Sequence, residues 1–131
     1  MHRLPLGRQR GHGFLQPEIA RATATNPAGP YLFKEVVLPA RGADFWDGHS
    51  VFNTCVVRIG EKFFLYYTGN RGDANWAPDR RIAGHSEEWW KHRNNQRIGV
   101  AIADSPNGPW KRFDKPLLDV GPGIGQTIIN V

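Results

Sequence analysis

"ATATNPAGPY", residues 22–31, returns 79 positions later as "AIADSPNGPW", residues 101–110. Ala22 and Ala101, Ala24 and Ala103, Pro27 and Pro106, Gly29 and Gly108, Pro30 and Pro109, and the aromatic pair Tyr31 and Trp110 all fall in register. After each copy the chain runs through a stretch ending in leucine, a glycine-containing loop and an apolar stretch holding an asparagine: "VFNTCVV" in one case, "TIINV" in the other. Self-similarity at a fixed offset is the mark of a repeated supersecondary unit.

The stretches between the two copies read as strands. "EIARATA" (18–24) alternates Ile19 and small alanines with polar residues, and the turn Asn26-Pro27-Ala28-Gly29-Pro30 leads into "YLFKEVVL" (31–38). Val51–Ile59 and Lys62–Thr68 form a predicted hairpin with Gly60 in its turn. In "KFFLYYT" both alternating faces are largely apolar, which predicts a strand covered on both sides. Residues 70–96 break the pattern as a long polar loop, in which "SEEWWKHRN" suits a short helical turn capped by Ser86. "RIGVAIAD" resumes it, with Ile98, Val100 and Ile102 on one face and Gly99, Ala101 and Ala103 on the other, a division suited to close stacking of sheets.

One period is therefore inner strand, hairpin, second strand, loop, third strand, Pro-Gly-Pro turn and fourth strand, the plan of a four-stranded propeller blade. The expected fold class is all-β, a β-propeller fragment. Residues 50–119 make one complete blade, 18–38 the outer half of the blade before it, and 127–131 the first strand of the next. Residues 1–17 form a basic N-terminal segment expected to be poorly ordered, ahead of the partial propeller at 18–131. Ends that fall in mid-blade imply that further blades, or self-association, complete the structure.

Composition agrees with a folded β protein. The chain of 131 residues is 40% hydrophobic and 22% charged, and its 15 glycines and 10 prolines against a single methionine favour turns over helices. The net charge of +5 is not a continuous patch. Arg3, Arg8 and Arg10 carry three of the charges and residues 71–97 two more, so the footprint of a nucleic-acid binder is missing. Cys55 is alone in an apolar strand and reads as a small buried hydrophobe. His2, His12 and His85 lack metal-ligand spacing, and no apolar run approaches the ~20 residues of a transmembrane helix. Neither a metal nor a membrane is expected. "MHRLPLGRQRGHGF" lacks an apolar signal-peptide core, and secretion would require a leader ahead of this segment.

"GPYLFKEVVLPARGADFWDGHSVFN", "EKFFLYYTGN" and "HRNNQRIGVAIADSPNGPWKRFDKPLLDVG" together resemble the five-bladed β-propeller glycoside hydrolases around glycoside hydrolase family 43, over residues 17–131. The resemblance implies hydrolysis of a glycosidic bond in a poly- or oligosaccharide, with inversion of configuration. It places the active site in a central funnel where innermost strands begin, and calcium at the hub is possible by analogy although no residue here marks it. Two carboxyl groups are needed across the bond. In such propellers they come from different blades, so one blade supplies only part of the set.

By that resemblance Asp47, just before an innermost strand, is the candidate catalytic carboxylate. Its change to Asn is then expected to remove activity and spare the fold. The plain alternative is an Asp-Gly turn. The matching loop before the next blade, "GPGIGQTIIN", has Gln126 where His49 stands and no acid, so the acid is not a repeat-wide element. Trp46 and His49 beside it offer an apolar sugar platform and a hydrogen-bond partner. Asn53 either binds a sugar hydroxyl or serves the backbone, as Asn130 would in the next repeat. His92, Arg93, Asn95 and Gln96 supply polar donors suited to a polyol, while Trp76, Trp89 and Trp90 either stack on sugar or anchor their loop. Arg93 and Arg97 pair with an acidic sugar or with Glu87 and Glu88. Glu18, Asp104, Asp114 and Asp119 read as solvated edge charges. A non-catalytic carbohydrate-binding piece and a self-assembling blade scaffold are the alternative functions.

Overall fold

The computed structural model describes residues 17–71 and 85–119. Residues 1–16 of the N-terminal segment, Trp76 and the apolar stretch 127–131 with Gln126 and Asn130 lie outside the described residues.

The chain is all-β in these regions, with one short helix. Strands β1 (Ile19–Thr23) and β2 (Leu32–Leu38) form a two-stranded sheet. β3 (Ser50–Ile59), β4 (Lys62–Asn70), β5 (Gln96–Ala103) and β6 (Lys111–Arg112) form a four-stranded sheet in chain order, and every pairing is antiparallel. The helix α1 (Glu87–Asn94) lies between β4 and β5. Ser86 caps it, its side chain accepting from the Trp89 amide at 3.1 Å, which satisfies one of the donors that a helix start leaves over. The helix runs eight residues, longer than a single turn.

The two copies of the repeat build the same turn. Gly29 (φ 86°) and Gly108 (φ 83°) both occupy the left-handed region that glycine enters without a Cβ clash. Each donates its amide three residues back, to the carbonyl of Asn26 at 2.8 Å and of Ser105 at 3.0 Å. In each, the residue before the glycine bonds the side chain two positions earlier: Ala28 to Asn26 Oδ1 at 2.9 Å, Asn107 to Ser105 Oγ at 3.2 Å. The first turn leads into β2 and the second into β6. Gly60, at φ 62°, closes the β3–β4 hairpin as its sequence predicts.

β3 is interrupted after Phe52, which pairs with Thr68, while Cys55 pairs with Tyr66. Two residues, Asn53 and Thr54, thus stand opposite Tyr67, and Asn53 adopts φ 51°. A β-bulge that needs a left-handed residue suits asparagine, which tolerates that region better than most side chains.

The core lies between the two sheets. Ile19 and Leu38 of the first meet Val51, Leu65, Tyr67 and Ala101 of the second, with Val37, Trp46 and Trp110 against them. Register explains the choice of face: Leu65 pairs with Ala101 and Tyr67 with Gly99, so large residues of β4 sit beside small ones of β5 and leave room for a covering layer. The opposite face, with Phe64, Tyr66, Val100 and Ile102, is only half-buried among the described residues. The expectation that both faces of "KFFLYYT" are covered is met on the Leu65 and Tyr67 face alone. Arg21 joins the sheets at their rim, donating to Glu35 at 2.8 and 3.1 Å and to Asn107 Oδ1 at 2.6 Å.

The connection from β2 to β3 is a compact self-bonded loop. Gly42 donates to the Gly48 carbonyl at 3.0 Å, Phe45 to Gly42 at 3.1 Å and Gly48 to Phe45 at 3.1 Å. A Cβ on Gly48 would stand 1.7 Å from the Gly42 oxygen, whereas a Cβ on Gly60 would meet nothing within 4 Å. The first obstacle is backbone held by three hydrogen bonds, and the second residue risks only its positive φ. Gly48→Ala is therefore expected to lower unfolding free energy by about 3 kcal/mol, against about 1 kcal/mol for Gly60→Ala, in urea melts of the two variants. Equal losses would show that the loop yields.

Candidate functional site

The polar end of the larger sheet gathers most of the residues singled out by sequence. The ladder aligns Ser50 with Asn70 and Asn70 with Gln96, so the loop before β3, the end of β4 and the start of β5 meet at one edge. Asp47, His49, Ser50, Thr68, Asn70 and His92 are all buried there.

Asp47 is the centre of this cluster, with 0% of its surface exposed. Its Oδ1 accepts from Arg41 Nε at 2.7 Å, and its Oδ2 accepts from the Tyr67 hydroxyl at 2.8 Å and from Arg112 Nη1 at 3.1 Å. Burial, reinforced by the carboxylate beside it, pushes the Tyr67 hydroxyl well above the usual phenol range and keeps it a donor. Arg41 reaches further, to Asp114 at 3.2 Å and the Phe113 carbonyl at 3.1 Å, and its guanidinium lies 4.2 Å from the centre of the Phe45 ring. One carboxylate thus ties the loop, β4 and β6 together. Both of its oxygens are bonded and none of its surface is exposed. The acid that the sequence marks as the catalytic candidate is also a structural hub.

Trp46 lies flat on the sheet. Its indole stacks on Tyr67, ring centres 5.5 Å apart and planes 22° from parallel. Cβ atoms added to Gly69 and Gly99 would each stand 2.4 Å from its ring, so both glycines are the floor on which it rests. One side of the ring is spent on this packing, and the indole also forms part of a cleft wall.

That cleft, about 260 Å³, is lined by Trp46, Arg71, Asn95, Arg97, Pro116 and Asp119. Arg97 is held rigidly in it: Nε donates to Asp119 at 2.5 Å, and Nη1 donates to the carbonyls of Asn94 at 2.7 Å and Gln96 at 2.8 Å. Arg71 is exposed and makes no hydrogen bond or ion pair among the described residues. Chemically the cleft offers guanidinium and amide groups, one carboxylate and an aromatic edge, a set suited to hydroxyls and anionic oxygens.

The remaining candidates divide. His49 and His92 meet edge to face, ring centres 5.6 Å apart, and Asn70 Nδ2 donates to the His92 carbonyl at 2.7 Å, anchoring α1 to β4. Burial lowers the pKa of His49, and burial together with neighbouring His49 brings His92 down to about 4. His92 is sealed from solvent and serves the packing of α1. Asn95 lines the cleft, while Gln96 sits half-buried in the ladder opposite Asn70. Arg93 turns onto Trp89, 4.8 Å from its ring centre, and Asn53 belongs to the bulge. Glu87 pairs with Lys91 at 2.8 Å, and the partner of Arg97 is Asp119, a residue set aside as an edge charge. Arg41, Tyr67, Arg112, Arg71 and Pro116 were missed. Only Arg41, six residues before Asp47 in the same loop, lay within local reach.

Among the described residues, no group of three His, Cys, Asp or Glu side chains could hold a metal, and no helix is long and apolar enough to cross a membrane. No protein-family model matches the chain, and no curated protein matches it.

Two measurements test the hub and its histidine neighbour. Asp47→Asn removes the charge that two half-buried arginines face, and is expected to cost about 3 kcal/mol of stability in urea unfolding, the reverse of the fold-sparing outcome expected from sequence. For His92 the folded pKa lies below that of the unfolded chain, so the unfolded state binds more protons between about pH 6.5 and 4 and stability falls as pH drops through that window. In His92→Gln the thermal midpoint should fall less between pH 7 and pH 4 than in the parent chain, with about 4 marking the lower end of the window.

Proposed function

We propose that this chain is a carbohydrate-binding portion of a β-propeller glycoside hydrolase, with residues 50–119 forming one blade and the cleft at its polar edge contacting sugar. The observation that carries the reading is the cleft itself, where Asn95, Arg71 and Arg97 converge beside Trp46 at the start of the inner strand β3. Two further features support it. The repeated Pro-Gly-Pro turn recurs with one local geometry ahead of β2 and β6, and β3 to β6 form a meander in chain order, as successive strands of a blade do.

Hydrolysis with inversion requires two carboxyl groups roughly 6.5–9.5 Å apart across the bond. Asp47 is buried and accepts from Arg41, Tyr67 and Arg112, and Asp119 is the carboxylate lining the cleft among the described residues. In this reading the catalytic acids come from other blades. The burial of Asp47 among these partners favours a second reading, a propeller piece that binds sugar without cleaving it.

Titration calorimetry of the full chain against xylan, arabinan, glucan and galacturonan hexasaccharides tests sugar binding. At least one should bind with a Kd of about 1 mM or tighter, weakened about tenfold by Asn95→Ala. If no member of the panel binds, the reading fails.

A further inference from the structure

The cleft is more specific than a general polyol site. Of its six lining residues, three are charged, and two of those are arginines. Arg97 is fixed before any ligand arrives, since carbonyls of Asn94 and Gln96 and the Asp119 carboxylate hold its Nε and Nη1. Its Nη2 has no bond among the described residues. Arg71, at the end of β4, faces the same space and is exposed without an ion pair among them, unlike Arg21, Arg41 and Arg112, which all bond carboxylates. A neutral sugar needs hydroxyl acceptors and donors but gives no reason for two guanidinium groups in one small cleft. Guanidinium forks match the two oxygens of a carboxylate or sulfate ester.

We propose that this cleft selects a sugar bearing an anionic oxygen substituent, a carboxylate or a sulfate ester, held between Arg71 and Arg97. The inference rests on the carbohydrate-binding reading above and narrows its ligand. Arg71 supplies the fork free to close on the anion, and Arg97 supplies the second, pre-oriented one. Asp119 has two duties: it orients Arg97, and its exposed oxygen accepts hydroxyl donors from the ring that carries the charge. Its negative charge opposes a second anion nearby, so a single charged substituent is favoured over a densely charged polymer.

The test is calorimetry on the full chain with three probes: a galactose trisaccharide with one ring replaced by galacturonate, a singly sulfated galactose trisaccharide and a neutral galactose trisaccharide. One or both charged probes should bind about tenfold more tightly than the neutral one, the stronger arm identifying the substituent. Arg71→Gln, a change at an exposed side chain without an ion pair among the described residues, should erase that preference, bringing the charged probes to the affinity of the neutral one. Arg58→Gln, at the far hairpin end of β3, should leave all three affinities unchanged and so controls for the overall positive charge. Equal affinity for charged and neutral probes overturns the selectivity while leaving sugar binding standing; no binding by any of them sinks the carbohydrate reading itself. A preference that survives Arg71→Gln, or that Arg58→Gln reduces equally, removes the cleft as its source.

Discussion

Asp47 meets Arg41, Arg112 and Tyr67 with none of its own surface exposed, and the rest of the larger sheet is arranged around that contact. Taking a carboxylate out of water costs several kcal/mol, and the cost is offset only when its oxygens find well-placed donors. Here three segments distant in sequence provide them, and all must arrive together. The loop before β3, the middle of β4 and the two-residue strand β6 are thereby fixed relative to one another. Asp114, bonded to the second face of Arg41, balances the second arginine, so the cluster is close to electroneutral. β6 is too short to hold its place by backbone pairing alone, and Arg112 gives it a second attachment.

What sequence reveals here is what is encoded locally or repeated. The Pro-Gly-Pro turn is legible because glycine at positive φ and flanking asparagine or serine impose the same bonds wherever they occur, at Gly29 as at Gly108. The β3–β4 hairpin is legible for the same reason, and so is the Ser86 cap. The large and small faces of β5 correctly indicate close sheet packing, but alternation in "KFFLYYT" cannot say which face is covered. That depends on where β1 and β2 dock.

The role of Asp47 was illegible for a different reason. An acid beside a glycine ahead of an apolar strand reads as a reactive group or a turn, and its place as a hub is visible only through its partners. Two of these, Tyr67 and Arg112, are 20 and 65 residues away and stand in no pattern with it. The cleft shows the converse. Arg71 and Asp119 are unremarkable in sequence because their importance comes from the register of β4 on β5 and from the return of the chain at Leu118, whose carbonyl accepts from Ile98. Sequence marks these polar residues as a group without showing which are buried and which face outward.

Trp46 has a consequence beyond its own packing. Its ring occupies the volume that side chains at positions 69 and 99 would otherwise fill, and Asp47 follows it directly in the chain. The three positions are one steric unit: a large ring above, two bare backbones below. Relatives of this chain could exchange the arrangement, carrying a small residue at 46 and larger ones at 69 and 99, but could not change one member alone without disturbing the register of the carboxylate that comes next. Covariation among 46, 69 and 99 would therefore be a trace of the buried charge, left by residues that carry none.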